Sequence, residues 1–189
     1  MSKSKFSVKT IVAIGIGAAL FFVMARYLSI PSPIPNTTFG IQYSVAAFMT
    51  VLYGPVAGML IAFIGHMLND MAAGWGVWWS WVIASGVFGV LMGLGVRGMK
   101  LDEGEFGVKD AIRFNVVQIV AHCICWGLVA PVLDILIYNE PVEKIFLQGL
   151  VGGLGNILAT AIVGTILCFA YAKAKPKKGS LTKEDSTEE

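Results

Sequence analysis

The chain has 189 residues, of which 56% are hydrophobic and only 14% charged, with a formal net charge of +2. Soluble domains carry about 25% charged residues, whereas the stretch from Ile41 to Gly65 carries none. A soluble helix of that length needs a polar face. The composition therefore excludes a soluble enzyme, a nucleic-acid binder and a disordered chain, and leaves an integral membrane protein of several spans.

A helix needs about 20 apolar residues to cross the hydrocarbon layer. In chain order the first predicted span is Thr10 to Ser29, ended by Pro31, Pro33 and Pro35, whose rings forbid continued helical hydrogen bonding. The second runs from Phe39 to Tyr53 and the third from Pro55 to Ala73, with a tight Gly54-Pro55 turn between them. Gly74-Trp75-Gly76 separates the third from a fourth, Val77 to Val96. The fifth is Ala111 to Ile137, and Asn139-Glu140-Pro141 leads into the sixth, Val142 to Ala172. Strands of a membrane barrel alternate in polarity over about 10 residues, and that pattern is missing from the sequence. The expected fold is all-α: a polytopic bundle of six transmembrane helices over residues 1–176, followed by a polar tail, 177–189. Lys3, Lys5 and Lys9 ahead of an apolar run also resemble a secretory leader. No small-x-small cleavage site precedes a soluble domain, so this segment reads as the first span.

Basic residues accumulate on the cytoplasmic side of membrane proteins. Here they gather at Lys3, Lys5 and Lys9, at Arg97, Lys100, Lys109 and Arg113, and from Lys173 to Lys183. With six spans these regions share one face, which places both termini in the cytoplasm. Cys123, Cys125 and Cys168 lie inside spans, where they read as small apolar residues.

Polar groups at membrane depth are costly and mark functional sites. His66, Asn69 and Asp70 sit at i, i+3 and i+4 on one helix face. Gln118, His122 and Trp126 recur every four residues, Gln148 and Asn156 lie two turns apart, and Arg26 and Asp134 stand near helix ends. Trp75, Trp78, Trp79 and Trp81 cluster at the start of the fourth span. On the six-span topology nearly all of these fall in the outer half, as a site for a small water-soluble ligand requires. Each has a plainer reading. The tryptophans suit an interfacial belt, Arg26 suits snorkelling, and the His66–Asp70 and Gln148–Asn156 pairs suit interhelical hydrogen bonding. Small residues Ala13 and Gly17, and Gly15 and Ala19, form smooth strips on the first span that suit close helix approach.

Five motifs in order carry a family resemblance: Val12-Ala-Ile-Gly-Ile-Gly-Ala-Ala-Leu20, Ile30-Pro-Ser-Pro-Ile-Pro-Asn-Thr-Thr38, Leu52-Tyr-Gly-Pro-Val-Ala-Gly58, Ile64-Gly-His-Met-Leu-Asn-Asp70 and Trp126-Gly-Leu-Val-Ala-Pro-Val-Leu-Asp134. From about Lys5 to Leu181 the chain resembles a substrate-binding S component of an energy-coupling-factor (ECF) transporter, of the largely uncharacterised family grouped with riboflavin S components. The resemblance implies a non-catalytic subunit of a prokaryotic plasma membrane that needs no cofactor. It implies binding of a vitamin or related micronutrient at the outer face, under the loop that follows the first span. It further implies docking on a transmembrane T component and two cytoplasmic ATPases through small residues of the first span, carried here to Ala13, Gly17, Gly15 and Ala19. The candidate ligand contacts are Arg26, Asn36, Gln42, His66, Asn69, Asp70, Trp75, Trp79, His122, Trp126, Gln148 and Asn156. Two other classes stand beside this one. Metal uptake would use His66, Asp70 and His122 as ligands, although no histidine follows Met1 closely. A membrane scaffold or intramembrane enzyme would lack the HExxH, GxSxG and phosphate-loop motifs that are missing here.

Overall fold

A computed structural model describes residues 7–74 and 76–175. The expected 177–189 tail, the first two lysines and Trp75 lie outside the described residues. The described chain is helical apart from a two-residue-per-strand hairpin and short turns.

Helix α1 spans Val8–Tyr27 and opens on Ser7, whose hydroxyl accepts from the Thr10 amide at 3.2 Å and so satisfies one orphan donor of the first turn. The proline-rich segment then forms strands β1 (Ile30–Pro31) and β2 (Thr38–Phe39), paired antiparallel with Ile30 opposite Phe39. Proline tolerates this short edge because its missing amide is not needed there. Helix α2 is Gln42–Tyr53 and α3 is Pro55–Ala73. Gly54 between them adopts a φ of 84°, a conformation open to glycine, and Pro55 takes the first helical position, where an amide would be unpaired anyway. Helix α4 is Trp79–Gly95.

Helix α5 runs over Val108–Tyr138 and α6 over Val142–Ala174, each interrupted by a π turn. The first of these, Cys125–Val129, ends two residues before Pro131, and the Ala130 amide bonds the Cys125 carbonyl five residues back. Proline removes a ladder hydrogen bond and crowds the preceding turn, and one widened turn accommodates it. Asn139, at φ 54°, ends α5.

All six expected helices are present, and four of them are long and apolar enough to cross a membrane: α1, α3, α5 and α6. Helix α4 is a shorter apolar helix. The second expected span differs. With 12 residues α2 is about 18 Å long, against a hydrocarbon thickness of about 30 Å. The cause lies at its start. Gln42 already lines an internal cavity, and the hairpin covers the depth above it, while Tyr53 reaches the level of Val8 and Lys9 at the opposite end. Helix α2 is therefore the buried axis of the bundle, with Tyr43, Ala46, Ala47 and Thr50 all enclosed.

The outer surface is apolar, as lipid contact requires: Ile11, Val116, Leu128, Leu150, Leu158 and Ile166 are all exposed. Within the bundle, glycines set the helix spacing. A Cβ on Gly89 or Gly93 of α4 would strike the backbone of α3 at Gly58 and Pro55, and one on Gly65 would meet Phe21 of α1 at 2.6 Å. The small strips of α1 divide. Ala13 and Gly17 are buried, and a Cβ on Gly17 would fall 2.7 Å from Ile61. Gly17 of that pair thus packs against α3, and Ala13 lies in a groove with Met49 and Tyr53 of α2. Gly15 and Ala19 face outward, and nothing lies within 4 Å of a Cβ built on Gly15.

Candidate functional site

At the hairpin end of the bundle the helices surround a cavity of about 290 Å³, near the lower end of the range of roughly 300–1,000 Å³ usual for ligand pockets. Phe21 and Ala25 of α1, Gln42 and Tyr43 of α2, and His66, Asn69 and Asp70 of α3 form one side. Trp78, Trp81, Trp126 and Asp134 come from the start of α4 and from α5, and Ile145, Gln148, Gly152 and Asn156 come from α6. Asn36, Thr37 and Thr38 of the hairpin roof it, with Glu140 and Lys144 at the rim.

The hairpin roof is seated by α6. The Gln148 amide donates to the Pro35 carbonyl at 2.7 Å. Gly152 offers a flat place for Thr37, and Gly155 is packed directly under the Phe39 ring. Asn36 sits at the hairpin turn with φ 58°, a left-handed conformation that asparagine tolerates. Gly149 and Gly153 lie against Trp126, whose backbone carbonyl and Cβ occupy the space that side chains there would need.

Two polar networks hold the walls. In the first, the Ser85 hydroxyl donates to the Trp81 carbonyl at 2.8 Å, and the Tyr43 hydroxyl and His66 Nδ1 each approach Ser85 Oγ at 2.7 Å. His66 Nε2 faces Asp70 at 3.6 Å. In the second, Trp78 joins two carboxylates. Its backbone amide donates to Asp70 at 3.0 Å, and its indole N–H donates to Asp134, which also accepts from the Ser80 hydroxyl. Buried polar groups require such partners. Two acceptors on lining residues have none, and both atoms are shielded from the cavity itself: Gln42 Oε1, packed against Gly40, and Asp134 Oδ2. Aromatic edges complete the floor, where the Tyr43 ring meets Trp126 at 4.6 Å and Phe21 at 5.1 Å.

The cavity brings together Asn36, Gln42, His66, Asn69, Asp70, Trp126, Gln148 and Asn156 from among the twelve residues expected from the sequence. Trp75 lies outside the described residues. The other three are displaced from the lining. Arg26 is exposed, and its neighbour Ala25 is the residue turned inward. Trp79 is 43% exposed and packs on Phe63, while Trp78 and Trp81 line the cavity. His122 is fully buried beneath the floor, stacked on Phe88 at 4.4 Å and within 3.3 Å of Thr160 Oγ1. It belongs to a polar seam between α5 and α6 that includes Gln118, Asn115 and Thr165. Tyr43, Trp78, Trp81 and Asp134 were missing from the expected set. Asp134 carried the signal in its charge at membrane depth, whereas Tyr43 sits in an unremarkable apolar run. Among the described residues no three His, Cys, Asp or Glu side chains gather as a metal site requires.

An all-helical, multi-pass bundle that encloses a roofed polar cavity within an apolar outer surface is the architecture of a membrane-embedded binding protein. Residues 5–173 match the family described as ECF-type riboflavin transporter, S component, and the chain belongs to that family. A "UPF0397 protein" of Clostridium perfringens is 50% identical over 97% of this chain and 100% of its own length. One of Enterococcus faecalis is 50% identical over 96% and 100%, and one of Streptococcus pneumoniae is 45% identical over 95% and 98%. The chain is thus a multi-pass cell-membrane protein and a substrate-specific transporter subunit.

Proposed function

We propose that this subunit captures a water-soluble vitamin or related micronutrient, a riboflavin-like or other flat heteroaromatic compound, from outside the cell. The roofed cavity carries the reading: it combines indole and phenol walls with directional hydrogen-bonding groups beneath a two-stranded lid. Both termini are assigned to the cytoplasm on the distribution of lysine and arginine, so the hairpin end faces outward. The subunit is non-catalytic. It works with a transmembrane T component and two cytoplasmic ATPases that drive ligand release inward, and the outward pair Gly15 and Ala19 is the docking strip on α1. Membership of the S-component family supports this assembly. The whole membrane-embedded region, 1–176, acts as one binding domain.

The test is thermal unfolding of the purified protein across a vitamin panel, paired with uptake in cells. At least one vitamin or precursor is expected to raise the unfolding temperature, and Asp70→Ala and Gln148→Ala are expected to lower uptake about tenfold, the loss of one charge-assisted or buried hydrogen bond. If no compound stabilises the protein and neither variant affects uptake, the assignment of the site falls.

A further inference from the structure

The cavity is unevenly supplied with hydrogen-bonding capacity. Three carboxylates line it, from Asp70, Asp134 and Glu140, against a single lysine or arginine, Lys144. Lys144 stands at the rim, where its exposed ammonium pairs with Glu140 at 2.7 Å. Arg26 stands outside the lining. Among the described lining residues, then, carboxylates outnumber lysine and arginine three to one, and Trp78 donates to both Asp70 and Asp134.

The acceptors are also the unfinished atoms. Asp134 has no exposed surface, and both of its hydrogen bonds fall on Oδ1, leaving Oδ2 buried without a partner. Gln42, 8% exposed, likewise leaves Oε1 unpartnered. A buried acceptor without a donor is costly, and a positive charge brought into the cavity beside the Asp134 carboxylate offsets part of that cost. The surrounding rings of Trp78, Trp81, Trp126 and Tyr43 present π faces, which attract cations and flat rings.

We infer that the cavity selects a flat nitrogen heteroaromatic bearing a positive charge or an amino donor, held against the indole and phenol rings in the field of the Asp70 and Asp134 carboxylates, and that it rejects anionic vitamins. This inference rests on the reading of the cavity as the ligand site.

The experiment is calorimetric titration of the detergent-solubilised full chain with pyridoxamine and pyridoxal, which share a ring but differ in the amine, and with thiamin, riboflavin, biotin and pantothenate. An amine or cation is expected to bind about tenfold or more tightly than its neutral or anionic counterparts. Asp134→Asn is expected to remove that preference, and Gln42→Glu to increase it. Because Asp134 also anchors Trp78 and Ser80, loss of folding in the first variant leaves the second as the deciding measurement. Riboflavin, biotin or pantothenate binding at least as tightly as the amines would overturn the selectivity while leaving the transport role intact. A preference unmoved by Gln42→Glu in a folded protein would also overturn it. Failure of every compound to bind would remove both the selectivity and the site.

Discussion

Gln148 and Asn156 show how far single residues can be read without coordinates. An amide in an apolar helix must find a partner, and their spacing of two turns places both on one stripe, which lines the cavity. The same reasoning is weaker for tryptophan, because an indole is at home in a belt as well as in a pocket. Trp78 and Trp81 turn inward while Trp79 packs on Phe63 toward the outside, a split decided by the direction in which α4 starts. His122 misled for a related reason: it shares a stripe with Trp126 but is sealed under the floor by Phe88 and Tyr43. Glycines of α6 give a sharp test at this scale. A Cβ on Gly149 collides with the Trp126 carbonyl, whereas one on Gly152 meets Thr37 at 3.5 Å, an ordinary contact. Gly149→Ala is expected to destabilise the protein by about 1–3 kcal/mol and Gly152→Ala to leave it unchanged, as read from thermal unfolding in detergent.

Among the elements, helix boundaries were largely legible, because Gly54-Pro55, the glycines around residue 75 and Asn139-Glu140-Pro141 interrupt hydrogen bonding by known chemistry. The start of α2, three residues later than the expected Phe39, was not. An apolar run shows where a helix can be buried, but not that a folded-in hairpin has taken over part of its path. Nor does small-residue spacing reveal which strip of α1 turns inward, since both have the same period. The two strips now separate in experiment. Gly17→Leu, driven into Ile61, is expected to lower stability by about 1–3 kcal/mol and so reduce the yield of folded protein. Gly15→Leu is expected to keep the unfolding temperature and ligand affinity but to abolish co-purification with the T component. Retention of the complex by a folded Gly15→Leu protein would move docking to another surface.

For the whole molecule, few charges carried much information. Sparse charge excluded soluble classes, and the clustering of basic residues proposed an orientation. The shape of the cavity was not legible because it is assembled from α1, α2, α3, α4, α5, α6 and the hairpin together, a convergence that no local pattern encodes. Orientation has a direct check. With Lys9→Cys and Lys173→Cys made singly, a membrane-impermeant thiol reagent is expected to label both in inside-out vesicles and neither in intact cells. Labelling of one terminus from outside would mean an odd number of crossings, with α2 no longer counted among them.

Three of the five tryptophans, Trp78, Trp81 and Trp126, border the same chamber. The near-ultraviolet emission of the molecule is therefore weighted toward the one place where a guest would rest. If a flat aromatic guest stacks on those rings, its arrival is expected to quench that emission, an occupancy signal that needs no attached dye and can be read in the membrane.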